Sequence, residues 1–247
     1  MTQTGRILLL FLLAGTIVAS AETPSTGSPA KEDPVGKTAA SDPNSHKWEY
    51  GPFINWGTGV GDRSNFKFLW GGVQLGRSMF PPVHAGVLSG QFELAGNLIP
   101  FWQAYTPAPH NQTVFYPAPG CPTGGCISTI PIGGGTYTGV SVVPVIFRWN
   151  FLNHSEHFKP WFQGAGGLIY TTHKFPPTQL VAKGTPGGTS VWNFSPQGGF
   201  GLHYFVHPRR SIDLGVNAIH ISSASLGDKN PGVNASIQIQ VGYTYWK

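Results

Sequence analysis

Polar and apolar residues alternate along this chain with a period of two, over stretches longer than an ordinary strand. Stretches 88–98 and 192–206 show this alternation, as does the last stretch, 233–247. Because successive side chains of a strand point to opposite faces, the pattern predicts half-buried strands. No long segment of helical period stands out, so we predict an all-β fold. Its predicted strands span residues 47–57, 64–80, 86–106, 138–150, 158–173, 191–206, 210–222 and 233–247.

The connections between these predicted strands alternate between short and long. Those at 81–85, 151–157 and 207–209 are short, whereas those at 107–137, 174–190 and 223–232 are longer. Short turns at one end and long loops at the other are typical of an outer-membrane barrel. We therefore predict an eight-stranded antiparallel outer-membrane β-barrel, whose lumen is filled by side chains and is too narrow for a general diffusion pore.

Aromatic residues gather near the ends of the predicted strands. Such residues form girdles at the two membrane interfaces of barrels, and the candidates are Trp48, Trp56, Trp102, Tyr105, Trp149, Phe151, Tyr243, Tyr245 and Trp246. The alternative is a soluble sandwich or lipocalin-like barrel, which also uses alternating strands. Composition disfavours it, because charged residues make up 10% of the chain, against about a quarter in typical soluble domains.

The first residues have the three parts of a secretory signal. Arg6 supplies a positive charge, residues 7–18 form an apolar run, and Ala19-Ser20-Ala21 is a small-residue cleavage site. We expect a signal peptide over 1–21 and a disordered segment over 22–46, where Pro, Ser and Thr dominate. The membrane barrel is then expected over 47–247, in the bacterial cell outer membrane.

The net charge of +5 is spread along the chain. No cluster of Lys and Arg interleaved with aromatic residues forms a nucleic-acid stripe, so anionic lipid headgroups are the more reasonable partner.

Cys121 and Cys126 are a close pair in an exported chain, which predicts a local disulfide rather than half of a zinc site. His154, Glu156 and His157 lie in a short predicted turn without a clear further ligand. We expect no metal and no cofactor.

His220 and Ser222 lie two residues apart at the end of the seventh predicted strand. Residues at this spacing project from the same face of a strand. An imidazole beside a hydroxyl is the minimum needed to make a serine nucleophilic. A lone histidine at the rim of a barrel more commonly meets headgroups or water. The adjacent serine and the following loop favour a catalytic pair.

Around this pair the sequence resembles the lipid A 3-O-deacylase (PagL) or acyloxyacyl hydrolase family of outer-membrane barrels. The resemblance depends mainly on His220, Ser222, Ala224, Ser225 and the segment Asn230-Pro231-Gly232 before the last strand. It extends more loosely through 160–167 and 196–201.

The resemblance implies an esterase that removes the 3-hydroxyacyl chain at position 3 of lipid A, within lipopolysaccharide of the outer leaflet. Ser222 would attack the ester carbonyl while His220 takes its proton. Backbone N–H groups of the 223–232 loop would stabilise the oxyanion. Partners are then lipopolysaccharide and the membrane, with a homodimer possible and no nucleic acid.

The chain departs from the family at two positions. The family orients its histidine with a glutamate, and counting along the last hairpin places Asn234 there. An amide can hold an imidazole tautomer through a hydrogen bond. The family also usually has asparagine directly after the serine, where this chain has Ser223.

Alternation turns Asn234 inward while His220 and Ser222 face lipid. A β-bulge near Ala235-Ser236, or an irregular start to the strand, would bring Asn234 to their face. Without either, Asp228 is the next candidate for the orienting residue.

Two function classes remain open at this point. One is an outer-membrane serine esterase acting on lipid A. The other is a non-catalytic barrel of the same fold that binds lipid or has a structural role, for which the change to Asn234 would be the signature. An adhesin or receptor that presents the loop with the cysteine pair has little support.

Overall fold

In a computed structural model of the chain, the sheet curls into a closed barrel. The structure describes residues 47–117, 119–122, 125–153, 155–177, 190–224 and 234–247. The predicted signal peptide and disordered segment therefore lie outside the described residues. The strands are β1 (Trp48–Gly59), β2 (Lys67–Ser78), β3 (Gly90–Tyr105), β4 (His110–Tyr116), β5 (Cys126–Ile132), β6 (Thr136–Phe151), β7 (Phe158–Phe175), β8 (Ser190–Phe194), β9 (Gln197–His207), β10 (Arg210–His220) and β11 (Ala235–Trp246).

The barrel wall follows the order β6-β3-β2-β1-β11-β10-β9-β7, and pairing of β6 with β7 closes the ring. Every pairing in the ring is antiparallel. The predicted eight-stranded antiparallel barrel is thus confirmed. The sixth predicted strand is interrupted at Ser195 and Pro196, so that β8 continues β9 beyond the break and pairs with the far end of β7.

The long connection after β3 contains structure that the alternation did not predict. β4 and β5 pair as a separate two-stranded sheet outside the barrel wall. The expected disulfide joins Cys121 and Cys126 at the end of this hairpin, next to the pairing of Tyr116 with Cys126.

The two ends of the barrel differ in the length of their connections. The connections from β6 to β7 and from β9 to β10 are short and lie at one end, where Lys47 and Lys247 are also found. The connection at this end between β2 and β3 is longer than expected, because it contains a short 3₁₀ turn at Gly86–Leu88. The connections after β3, β7 and β10 are at the other end. In outer-membrane barrels the short turns are periplasmic and the long loops extracellular.

Among the described residues there is no helix long and apolar enough to cross a membrane.

A polar layer fills the half of the lumen next to the short turns. Its centre is Arg148, whose Nη1 donates to Glu49 Oε1 at 2.7 Å and to Glu93 Oε1 at 3.1 Å. Nη2 of Arg148 donates to the side-chain oxygens of Gln74 and Gln163, both at 2.9 Å. These groups are buried, so each needs the partners that it has here.

An apolar layer fills the half of the lumen next to the long loops. Its aromatic members are Phe53, Phe66, Phe68, Trp70, Trp102, Tyr137 and Phe175. The Phe175 ring lies 5.3 Å from those of both Trp102 and Tyr137, in edge-on geometry.

Trp102 and Trp246 are only 1% and 3% exposed, so the prediction that they belong to the membrane girdles is wrong. Trp48, Trp56, Tyr105 and Tyr245 do project outward.

Candidate active site at the extracellular rim

The segment that carries His220 and Ser222 continues β10 in extended form beyond its last assigned residue. On one side, the His220 N–H donates to the carbonyl of Pro196 at 2.9 Å. Ser222 and Phe194 exchange two backbone hydrogen bonds, at 2.7 and 3.0 Å. On the other side, the Ile221 N–H donates to the carbonyl of Asn234 at 2.8 Å. Pairing on both sides fixes the direction in which each side chain projects.

His220 and Ser222 lie on the outer, lipid-facing side of the wall. Both are half-buried, whereas their neighbours Ile219 and Ile221 are 1% and 0% exposed and point into the lumen. Ile212 and Leu214, at even-numbered positions of the same strand, also point outward. The structure therefore brings the imidazole and the hydroxyl to one face at the end of the barrel that carries the long loops.

A tight turn follows Ser222. The Ala224 N–H donates to Ser222 Oγ at 3.1 Å, and Ala224 has a φ of 49°, in the left-handed region. Ser223 points the other way and is 2% exposed. Residues 225–233 lie outside the described residues, and with them Asp228, the rest of the expected oxyanion loop and the Asn230-Pro231-Gly232 segment.

Asn234 lies on the opposite face of the sheet from the His220 ring. The register of β10 with β11 pairs His220 with Ala235 and continues without a shift to Arg210 and Tyr245. Paired residues share a face and the next residue points away, and Asn234 is indeed buried, at 5% exposure. The bulge that would have turned it outward is not present in this register. His220 makes no ion pair with any carboxylate among the described residues.

The sequence also contains an apolar flank that residue-type reasoning did not assign to the site. Phe194, which pairs with Ser222, is 38% exposed, and Trp192 on the same outward parity is 58% exposed. The Trp192 ring lies 4.9 Å from that of Tyr170 on the neighbouring strand. The even-numbered apolar residues of 192–206 were the signal for this surface. It is suited to the acyl chain of a lipid.

A second arrangement of histidine, acid and serine lies inside the barrel. His203 Nδ1 and Ser211 Oγ both contact Asp213 Oδ1 at 2.7 Å, and Thr244 donates to Oδ2 of the same residue. His203 is 1% exposed and Ser211 is fully buried. Both groups are enclosed in the lumen, so this cluster is part of the polar packing and lacks the access that a lipid substrate needs.

The turn with the candidate metal ligands offers no assembled site among its described residues. His157 Nδ1 contacts the carbonyl of Phe205 at 3.1 Å. His154 lies outside the described residues. No group of three or more His, Cys, Asp or Glu side chains converges elsewhere in the described ranges.

Comparison with known proteins identifies one family. Residues 100–244 match the family model described as Lipid A 3-O-deacylase (PagL). The matched segment runs from within β3 to near the end of β11, and so includes His220, Ser222 and Asn234. A search among curated proteins finds no match.

Solved structures with a similar fold include the outer membrane enzyme PagL, at 15% identity and a TM-score of 0.39, over 78% of this chain and 98% of that one. The attachment invasion locus protein Ail of Yersinia pestis matches at 12% identity and a TM-score of 0.36, over 81% and 97%. A de novo designed transmembrane β-barrel matches at 11% identity and a TM-score of 0.34, over 82% and 98%.

Proposed function

Because the chain belongs to the Lipid A 3-O-deacylase (PagL) family, a family of the bacterial outer membrane, we propose that it removes the acyl chain ester-linked at position 3 of lipid A. The observation that carries this proposal is the placement of His220 and Ser222. They share the outward face at the extracellular rim, where lipid A of the outer leaflet meets the barrel wall. Water-soluble substrates do not reach this face, whereas a lipid anchored in the same leaflet does.

In the proposed mechanism Ser222 Oγ attacks the ester carbonyl and His220 takes the hydroxyl proton. The tetrahedral intermediate then collapses, and His220 returns the proton to the sugar oxygen as the alcohol leaves. Water, activated by the same imidazole, attacks the acyl-serine and releases the fatty acid. Backbone N–H groups in the loop after Ser222 would stabilise the oxyanion, at about 2.7–4 kcal/mol for each donor.

We assign Asn234 a supporting role through its backbone. Its carbonyl accepts the hydrogen bond of the Ile221 N–H, between the two proposed catalytic residues. This bond holds 220–222 extended, which is the conformation that places both side chains on one face. An acid that orients His220 would then have to come from the loop, where Asp228 remains the candidate.

The test is mass spectrometry of lipid A after incubation with the refolded protein and two serine variants. Ser222→Ala should lower turnover by at least about a thousandfold. Ser223→Ala is the matched control, because it removes the same hydroxyl from the adjacent, inward-facing residue and should leave turnover intact. The product should lack one 3-hydroxyacyl mass, and lipid A that already lacks the position 3 chain should be left unchanged.

The second candidate function is a non-catalytic barrel of the same family. The inward position of Asn234, where the family has a glutamate, favours this alternative. It predicts no loss of acyl mass from lipid A with the folded wild-type barrel. If the Ser222→Ala variant still deacylated lipid A, the protein would be an esterase, but Ser222 would not be its nucleophile.

A further inference from the structure

A cavity of about 540 Å³ opens on the lipid-facing side of the barrel, away from the candidate active site. It lies where β3 and β6 shift register, at Gly96 and Pro144. Glycine has no side chain to fill the wall and proline has no N–H for the ladder, so the sheet surface is recessed here. Outward-facing Val73, Leu75, Leu98 and Val142 line the recess. The volume is within the range of small-molecule sites.

One end of this cavity reaches the periplasmic rim and carries a cation. Trp48 and Arg77 are paired across β1 and β2 and both line the cavity. The Arg77 guanidinium lies 5.0 Å from the centre of the Trp48 ring. A cation–π contact of this kind holds an arginine beside an aromatic ring at the interface.

An adjoining cavity of about 570 Å³ shares Trp48 and Leu75 and adds Lys47 and Lys247 to the lining. A main-chain oxygen of Lys247, the last residue, accepts hydrogen bonds from the backbone N–H groups of Lys47 and Trp48 at 3.0 and 2.9 Å, and its carboxylate offsets one of the three positive charges. Exposed side-chain carboxylates do not offset the other two. Glu49, Glu93 and Asp213 are buried in the lumen, at 4% exposure or less. Among the described residues of this end, the exposed acidic side chain is Glu156, in the turn between β6 and β7. An anion therefore meets a positive rim directly beside an apolar recess.

We propose that this surface is a binding site for an anionic phospholipid of the inner leaflet. One acyl chain occupies the recess at Gly96 and Pro144, and the phosphate contacts Arg77, with Lys47 and Lys247 adding charge. The periplasmic position excludes lipid A, which lies in the opposite leaflet. The site is independent of the deacylase chemistry, since it lies at the other end of the barrel from His220.

A second copy of the chain is the other occupant to consider for an apolar recess. A two-fold contact places the same patch of both copies together. The net positive rim of one copy, formed by Arg77 and the two lysines, would then face that of the other. Like charges at close range oppose such a contact, whereas an anionic lipid neutralises them.

The test is native mass spectrometry of the refolded barrel, released from detergent after incubation with an equimolar mixture of phosphatidylglycerol and phosphatidylcholine. Wild type should retain phosphatidylglycerol in preference. Arg77→Gln should lower that preference about fivefold, the typical effect of one cation near an anionic headgroup. Arg210→Gln is the matched control, because Arg210 also stacks on a rim aromatic, 5.7 Å from the Tyr245 ring centre, but lines neither cavity.

A second pair of variants tests the recess itself. Val73→Trp places an indole in the cavity and should reduce retention of both lipids. Ile54→Trp adds the same ring at an outward position of similar exposure that does not line the cavity, and should change nothing.

Several outcomes would overturn the proposal. If Arg77→Gln and Arg210→Gln lowered the preference for phosphatidylglycerol equally, the preference would come from the overall positive charge of the rim and not from a site at Arg77. Equal retention of the two lipids by wild type would remove the headgroup site. Displacement of the lipid by inorganic phosphate alone would assign the site to a free anion, and a lipid-free dimer that Val73→Trp dissociates would assign the recess to a second copy.

Discussion

At the residue scale, the position of Asn234 leads to a prediction about what orients His220. Loss of the acid that orients a catalytic histidine costs about 10⁴ in kcat. Because Asn234 faces the lumen, we expect Asn234→Ala to retain far more activity than that. For the same reason Asn234→Asp, which restores an acid without changing size, should not raise the rate. Initial rates of lipid A deacylation measure both effects, with folding checked by heat-modifiable gel mobility.

A large gain in Asn234→Asp would contradict this geometry, since it would require the carboxylate to reach His220 on the outer face. Loss of folding in that variant is the separate outcome expected from burying a charge. In that case the role of residue 234 is judged from Asn234→Ala, which buries no charge.

The face of each candidate residue could be predicted from alternation alone. Parity along the seventh predicted strand placed His220 and Ser222 outward, and parity along the last strand placed Asn234 inward, as the structure shows. Whether a bulge intervenes could not be predicted, because one extra residue changes the face and leaves no clear mark in the sequence. The hydrogen bonds of Phe194 and Pro196 to the site were also not predictable, since they depend on the pairing of strands.

At the element scale, glycines on β9 and β10 make room for a tryptophan of β7. Trp161 is paired with Gly201, which is paired in turn with Gly215. A Cβ added at Gly215 would collide with the Trp161 indole. We expect Gly215→Ala to destabilise the barrel by about 1–3 kcal/mol, as overpacking does, measured by denaturant unfolding in lipid vesicles.

Gly164→Ala is the control for this prediction. Gly164 lies on the outer face of β7, and a Cβ there would meet no atom within 4 Å. Both substitutions reduce the freedom of the unfolded chain equally, so their difference isolates the collision with Trp161. Equal stability of the two variants would show that Trp161 can move aside without loss.

The number and order of the barrel strands followed from the period-two alternation, and their ends lie close to the predicted ones. The break at Ser195 and Pro196 was not predicted, although proline lacks the N–H that a central strand needs. The hairpin of β4 and β5 was missed because it stands outside the wall and is largely exposed. Without one buried face, a strand has no reason to alternate.

At the scale of the whole molecule, the ion cluster in the lumen joins strands that are far apart in sequence. Arg148 on β6 binds Glu49 on β1 and Glu93 on β3, at separations of 99 and 55 residues. The alternation of 88–98 placed Glu93 on the polar face of its strand, but nothing in the sequence indicated that it meets Arg148 and Glu49. That depends on the closure of the ring, which places β1, β3 and β6 around one small lumen.

Removal of Arg148 should therefore destabilise the whole barrel. Arg148→Met leaves two buried carboxylates without their cation, which typically costs about 3–5 kcal/mol. The triple variant Arg148→Met, Glu49→Gln, Glu93→Gln removes all three charges and should recover much of this loss in denaturant unfolding. Because the cluster lies near the periplasmic end, the folded triple variant should still deacylate lipid A if His220 and Ser222 act as proposed. A triple variant as unstable as Arg148→Met would show that the hydrogen-bond geometry of the cluster, rather than its charge balance, supports the barrel.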